Sequence, residues 1–249
     1  MRKFTAGILC MLILLFTVPG ISQKMTWTTK SDAAKELAGK GADHYMNAEF
    51  EQAYNDFSGA LKLDPDFTVA LVFMSNLTRG ETRKAYAQKA VKSAENKTEG
   101  EKLFASTTVE KDTTARRMIW AKLHSMFPDG AMIGDFYVQT RPTPEERFKA
   151  AQDYIKKFPD EASMYNNIAY YYLQNKKDNA MAKQNFEKYM SMYPDGSNPY
   201  DSMGEFYLDT GDTVNAEKYY KLSLEKYPFT TSSINALQQI ADNKKKDAK

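Results

Sequence analysis

A five-residue motif that recurs at a fixed interval constrains this chain more than any other feature of its sequence. Its clearest copy is Met203-Gly204-Glu205-Phe206-Tyr207, in which an apolar and a small residue are followed three positions later by Tyr. Further copies begin at Ile133 and Ile168, in the same frame. The spacing predicts that the apolar residue, the small residue and the Tyr share one face of a helix.

Each copy is followed by a second apolar-periodic segment that ends at an aromatic-Pro pair. These pairs are Phe158-Pro159, Tyr193-Pro194 and Tyr227-Pro228. Because Pro cannot continue a helix, each pair predicts a helix end. Two helices that recur at an interval of roughly 34 residues are typical of a helix-turn-helix solenoid, in which stacked units supply each other's core. The sequence therefore predicts an all-α, right-handed solenoid of about six antiparallel helix pairs.

The last copy resembles the tetratricopeptide repeat. That family's order is a large aromatic residue, Leu-Gly, Tyr, Ala, an aromatic residue, a small residue and Pro, and the matching residues are Tyr200, Met203-Gly204, Tyr207, Ala216, Tyr220, Ser223 and Pro228. The preceding repeat fills these places with Tyr165, Ile168-Ala169, Tyr172, Ala182, Phe186, Tyr189 and Pro194. Near the N-terminus Gly41, Ala53, Phe57, Ala60 and Pro65 match, whereas Lys40 and His44 depart from the pattern. The resemblance implies a solenoid that binds other proteins on its concave face.

Capping signals divide the chain into helices. Ser31, Thr98 and Thr143 each precede a predicted helix, and the last two have a Glu three positions later. Gly80 predicts a break between two helices. We predict one solenoid over 31–242, with the clearest repeats at 31–66, 129–160, 161–195 and 197–229 and a divergent stretch at 67–128. A flexible segment, 23–30, precedes it; a terminal capping helix runs from Thr230 to about Asp242, and a basic tail follows at 243–249.

The first 22 residues are typical of a secretory signal peptide. A basic start at Arg2-Lys3 precedes an apolar run and a break at Pro19-Gly20. Cleavage after Ser22 would leave Gln23 as the N-terminus, and an uncleaved anchor is the alternative. We therefore expect an exported protein, periplasmic or secreted, with no membrane span after cleavage.

Cleavage would also change the composition. It removes Cys10, the only cysteine, so the mature chain would have no disulfide and no thiolate metal ligand. It removes two of the 34 basic residues, Arg2 and Lys3, and leaves 32 against 32 acidic residues. A balanced charge argues against a nucleic-acid partner, since phosphate binding needs a basic stripe.

The sequence contains no recognisable catalytic constellation. His44 and His124 are far apart, and we find no Gly-rich phosphate loop, Cys/His cluster or nucleophile elbow. We therefore predict no catalytic residue, no metal ligand and no cofactor. In the divergent stretch we interpret Trp120 as a core residue, together with its helical neighbour Met118, and Arg116-Arg117 as surface residues.

The resemblance also indicates where a partner would bind. In the family, the position of Tyr170 lies on the first helix of its repeat and faces the concave groove. Residues one turn away share that face, so the predicted groove residues are Asp135, Asn166, Tyr170, Gln174, Asp201, Glu205 and Asp209. We expect an acidic, amide-rich groove with an exposed Tyr170, suited to a basic or polar segment of a protein or peptide. The alternative is that these charges serve solubility alone.

The function predicted at this point is an exported, non-catalytic scaffold. Two alternatives stay open: an accessory or regulatory subunit of an exported hydrolase, and a homo-oligomeric structural protein of the envelope. The sequence leaves the oligomeric state open. It also leaves open whether the groove is empty or filled by residues 23–30.

Overall fold

The computed structural model describes residues 23–247, and this part of the chain contains thirteen α-helices and no strand. The helices are α1 (Asp32–Met46), α2 (Phe50–Leu63), α3 (Thr68–Leu77), α4 (Gly80–Ala94), α5 (Glu99–Ser106), α6 (Thr113–Met126), α7 (Ala131–Gln139), α8 (Pro144–Lys157), α9 (Ser163–Tyr170), α10 (Asn179–Met192), α11 (Asn198–Asp209), α12 (Thr213–Lys226) and α13 (Thr231–Asp247). A one-turn π-helix, Tyr171–Lys176, extends α9. Six consecutive helix pairs followed by α13 confirm the predicted all-α solenoid. The predicted signal peptide, 1–22, lies outside the described residues.

Side-chain caps fix where several helices begin. The Ser31 hydroxyl accepts a hydrogen bond from the Ala34 amide, and Thr98 and Thr143 each form a complete capping box with the Glu three residues later. These starts were predicted from the sequence. Gly80 differs from its prediction: it is the first residue of α4, and its positive φ of 59° turns the chain into that helix.

Small residues set the distance between the two helices of a repeat. A Cβ placed on Gly204 would lie 2.8 Å from the Tyr220 ring, and one on Gly134 would lie 3.1 Å from the Tyr154 ring. In each repeat the aromatic residue of the second helix therefore rests directly on the backbone of the first. This contact explains why the recurring motif carries Gly or Ala at its second position.

The first seven helices share one large core. Its centre is a chain of aromatic rings in which Phe57 stacks on Phe73 at 4.3 Å and Trp120 stacks on Phe136 at 4.4 Å, with Phe104 in contact with both pairs. Trp120 is a core residue, as predicted. Its neighbour Met118 is not, because 68% of it is exposed on the outer side of α6.

The N-terminal segment 23–30, expected to be flexible, is packed against the solenoid. Met25 is buried, and the Trp27 ring lies 6.5 Å from the Phe67 ring. The Thr28 backbone amide and hydroxyl both donate to Glu101 at 2.8 Å, and the Thr29 hydroxyl donates to Asp64 at 2.6 Å. The buried Met25, the partly buried Trp27 and several hydrogen bonds thus hold this segment across α5 and the α2–α3 turn.

The C-terminal helix is longer than predicted. α13 continues through Lys244, Lys245 and Lys246, so the predicted basic tail 243–249 is helical up to Asp247. Lys244 donates to Glu217 of α12, and buried Ile240 anchors the same helix. Cations in the last turn also interact favourably with the helix dipole, so this basic end favours helix over coil.

The two ends of the solenoid touch. Glu49, in the turn between α1 and α2, is 3% exposed, and its carboxylate accepts hydrogen bonds from the Ser197 amide and hydroxyl, the Asn198 amide and the Tyr193 hydroxyl. Beside it the Tyr189 hydroxyl donates to the Asn47 carbonyl at 3.2 Å. The α1–α2 turn is therefore docked on the α10–α11 turn, which curls the array into a closed shape.

Candidate functional site

The seven predicted groove residues lie on the first helices of the last three repeats. α7 carries Asp135, α9 and its π-helical extension carry three of them, and α11 carries three. Their exposure differs from the prediction. Gln174 and Asp209 are exposed; Asn166, Tyr170 and Glu205 are half-buried; Asp135 and Asp201 are buried, at 5% and 8% exposure.

Tyr170 is not the exposed aromatic residue that the sequence predicted. Its hydroxyl donates to the Glu205 carboxylate at 2.7 Å, and its ring lies edge-on to Phe186 at 5.1 Å. Burial, and then the charge of Glu205, raise the pKa of Tyr170 well above its ordinary value. The side chain therefore bridges the fifth and sixth repeats instead of facing a partner.

Asp135 and Asp201 make the same kind of link between repeats. The Ser163 hydroxyl at the start of α9 donates to Asp135 at 3.3 Å, and the Ser233 hydroxyl in α13 donates to Asp201. Burial raises the pKa of Asp135 to about 7, and burial also raises the pKa of Asp201, against the opposing effect of Ser233. Both carboxyl groups thus hold neighbouring first helices together and are withdrawn from solvent.

The inner face nevertheless stays acidic. Besides Asp135 it contains Asp43 and Glu161, which approach each other across α1 and the α8–α9 turn, and Glu205 with Asp209 on α11. Burial raises the pKa of Asp43, Glu161 and Glu205, and nearby carboxylates raise those of Glu161 and Glu205 further. Within residues 23–247 none of these five carboxylates forms an ion pair, and the positive charges that act on them from farther away are those of His44 on Asp43 and Lys24 on Glu161.

The end of α1 fills the groove next to α7. The Tyr45 ring lies 5.6 Å from Phe136 and 4.9 Å from Phe73. The sequence left open what occupies the groove: beside α7 it is the first repeat, while residues 23–30 pack on α5 and the α2–α3 turn. The accessible part of the predicted groove is the acidic ledge, which we define as Gln174, Glu205 and Asp209.

Glu49 and Asn47, which close the array, were not predicted. Their partners are about 145 residues away in sequence, and no periodic pattern connects positions so far apart. A Glu directly before an apolar helix looks like any other polar turn residue. Only its burial in the structure distinguishes it.

The two histidines occupy separate structural settings. His44 Nδ1 lies 2.7 Å from the Asp56 carboxylate, and the His124 ring stacks on Tyr137 at 4.4 Å. Among the described residues no group of three His, Cys, Asp or Glu side chains could hold a metal ion. The same part of the chain contains no helix that is long and apolar enough to cross a membrane.

Several solved structures are similar to this chain. A tetratricopeptide repeat protein from Parabacteroides merdae ATCC 43184 shares 14% identity at a TM-score of 0.50, over 85% of this chain and 100% of its own. A structure of the APC/C hetero-tetramer Cut9-Hcn1 also gives 14% identity and a TM-score of 0.50, over 83% of this chain and 42% of that one. PilW, a widely conserved type IV pilus biogenesis factor, gives 11% identity and a TM-score of 0.49, over 85% of this chain and 99% of its own.

No protein-family model matches the sequence, and no curated protein matches it. At these identities the structural similarity concerns the fold alone. It agrees with the six stacked helix pairs and with the small-residue and aromatic contacts inside each pair. The chain therefore has the fold of the tetratricopeptide repeat proteins.

Proposed function

We propose that this protein is an exported, non-catalytic scaffold that binds a basic or polar segment of another protein on its inner face. A solenoid of this fold presents a preformed surface, so a partner can bind without an entropy cost for ordering the helices. Export is inferred from the sequence of residues 1–22 alone.

The observation that carries the proposal is a pair of carboxylates on α11 that has no cationic partner in the described chain. Glu205 and Asp209 lie one turn apart and Glu205 is half-buried; burial raises the pKa of Glu205, against the hydrogen bond from Tyr170, and the charge of Asp209 raises it further. No Lys or Arg of the described chain pairs with either. A Lys or Arg from a partner would relieve this repulsion and gain charge-assisted hydrogen bonds.

A direct test compares a Lys-rich peptide with a Glu-rich peptide of the same length, by calorimetry at low and high salt. The test variant is Glu205→Gln with Asp209→Asn, which removes both charges. The amide oxygen of Gln can still accept the hydrogen bond from the Tyr170 hydroxyl. We expect it to weaken binding of the Lys-rich peptide about tenfold, since charged hydrogen bonds contribute about 1.5–3 kcal/mol.

The matched control is Asp195→Asn with Glu187→Gln, which removes two exposed carboxylates outside the ledge. It should bind as the unaltered chain does. Equal weakening by both double variants, or equal binding of the acidic peptide, would show that the ledge has no specific role. Affinity capture from an envelope extract with the same variants would then identify natural partners.

A further inference from the structure

A cleft separate from the acidic ledge lies between the second helices of the third and fourth repeats. It has a volume of about 470 Å³, which is within the range of small-molecule sites. His124 of α6, Tyr137 of α7 and one face of α8 line it, and Arg141 closes one end. It shares no residue with the acidic ledge and is independent of the function proposed above.

Tyr137 organises the cationic end of this cleft. The His124 ring stacks on it at 4.4 Å, with 19° between the planes, and the Arg141 guanidinium carbon lies 3.8 Å from the ring centroid. Two groups at these distances cannot share one face of a ring, so Tyr137 lies between the imidazole and the guanidinium. The stack holds both donors in fixed positions at low entropic cost.

The cleft has more positive charge available than negative. Its carboxylates are engaged elsewhere: Glu146 caps α8 by accepting from Thr143, and Asp153 pairs with Lys156. Within residues 23–247, by contrast, no carboxylate pairs with Arg141 or Lys149. Burial first, and then the charges of Lys157 and Arg141, lower the pKa of His124, which reports a positive potential at this position.

Two nitrogen atoms at this end have no hydrogen-bond partner in the described chain. The Arg141 Nε atom donates to the Tyr137 carbonyl at 3.0 Å, but its Nη2 atom is shielded from solvent and has no acceptor. His124 Nδ1 is shielded and unpartnered in the same way. Buried polar groups are normally satisfied, so atoms of this kind call for an explanation. The opposite wall is apolar, with Val138, Ala150 and Phe158 along it.

We propose that this cleft binds a small organic anion, a carboxylate joined to an apolar body. The carboxylate lies against the Lys149 ammonium and the Arg141 guanidinium, whose positive charges attract it. The apolar body packs along Phe158 and Ala150 and removes their exposed parts from water. The pairing of a cationic end with an apolar wall distinguishes such a ligand from inorganic anions.

The test uses the full chain labelled with ¹³C in its histidines, since His124 lies in the cleft and His44 does not. Phenylacetate is the probe, phenylacetamide is its neutral analogue and phosphate is the purely inorganic anion. We expect phenylacetate to raise the pKa of His124 and to leave the His44 signals unchanged. Phenylacetamide and phosphate should bind at least about tenfold more weakly, because each lacks one half of the recognition.

Variants separate the cleft from general surface charge. Lys149→Gln should weaken phenylacetate binding about three- to tenfold. Lys92→Gln, which removes one exposed charge on α4 outside the cleft, should leave phenylacetate binding unchanged. An unresponsive His124, equal binding of phosphate, or equal effects of the two variants would each overturn the proposal. None of these outcomes bears on the acidic ledge.

Discussion

Burial of the Asp135 carboxyl group links the stability of the fold to pH. Its pKa is raised from 3.8 to about 7, so between these values the folded chain keeps a proton that the unfolded chain has released. The folded state therefore binds more protons, and the free energy of unfolding falls as pH rises from about 4 to 7. Asp43, Glu161, Asp201 and Glu205 shift in the same direction.

We expect Asp135→Asn to flatten this dependence, because the amide keeps an acceptor for Ser163 and cannot ionise. The variant should gain about 3 kcal/mol relative to the unaltered chain between pH 5 and pH 8, because only the two pH units from 5 to 7 contribute, at about 1.4 kcal/mol per unit. Urea unfolding of both proteins at pH 5 and pH 8 measures this difference in the free energy of unfolding. Asp153→Asn, an exposed carboxylate, should leave the slope unchanged; if both variants keep the full slope, the other inner-face carboxylates carry it.

Residues such as Tyr170 show what a sequence can and cannot predict at this scale. Its helix and its inward side followed from the repeat register. Its burial did not, because Phe186 and Glu205 belong to other helices. The residue pattern of one helix does not show which side chains of neighbouring helices pack against it. The side chain that the sequence predicts to be exposed is therefore half-buried, and the partner-binding role of this face stays a prediction.

At the scale of elements, two paired helices can approach closely because a Gly of the first helix has no Cβ. We expect Gly204→Ala to destabilise the fold by about 1–3 kcal/mol, because its Cβ would lie 2.8 Å from the Tyr220 ring and force a packed aromatic side chain to move. Gly39 is the matched control. A Cβ there meets nothing within 4 Å, so Gly39→Ala should stabilise α1 by roughly 0.5–1 kcal/mol. Chemical denaturation of both variants measures the contrast, and the same sign for both would refute this account of helix spacing.

Helix ends were predictable where a cap or a Pro marks them, because these signals act within one turn. The π-helix at Tyr171–Lys176 and the long α13 were not. The π-helix ends at Lys177, whose backbone has a left-handed conformation. The sequence gives no signal for this turn, because such positions are usually occupied by Gly. The last turns of α13 contain Lys244, which contacts Glu217 in the preceding helix. Both features depend on neighbours that local patterns do not encode.

At the scale of the whole molecule, the Glu49 contact turns a string of repeats into a closed body. We expect Glu49→Ala to lower the free energy of unfolding by about 2–4 kcal/mol, because several buried donors lose their acceptor at once. Glu49→Gln keeps one acceptor oxygen and should lose less. Small-angle scattering should show a larger radius of gyration for the Ala variant, which separates opening from simple loss of stability.

The exposed Glu36→Ala variant controls for loss of a carboxylate, since its side chain is 70% exposed beside Lys40. It should change neither stability nor size by a measurable amount. An unchanged radius for Glu49→Ala would mean that the remaining contacts, such as the hydrogen bond from Tyr189 to the Asn47 carbonyl, keep the array closed without Glu49.

The distance along the chain between Glu49 and its donors also sets an order of assembly. Repeat arrays fold from contacts between neighbours, which form quickly because little chain entropy is lost. The α1–α2 turn is an exception: on a ribosome it is made early, yet its carboxylate has no donors until residues 193–198 have been synthesised. The first repeat to be translated therefore stays incomplete until the turn between the fifth and sixth repeats has emerged, and the contact that closes the array forms only then.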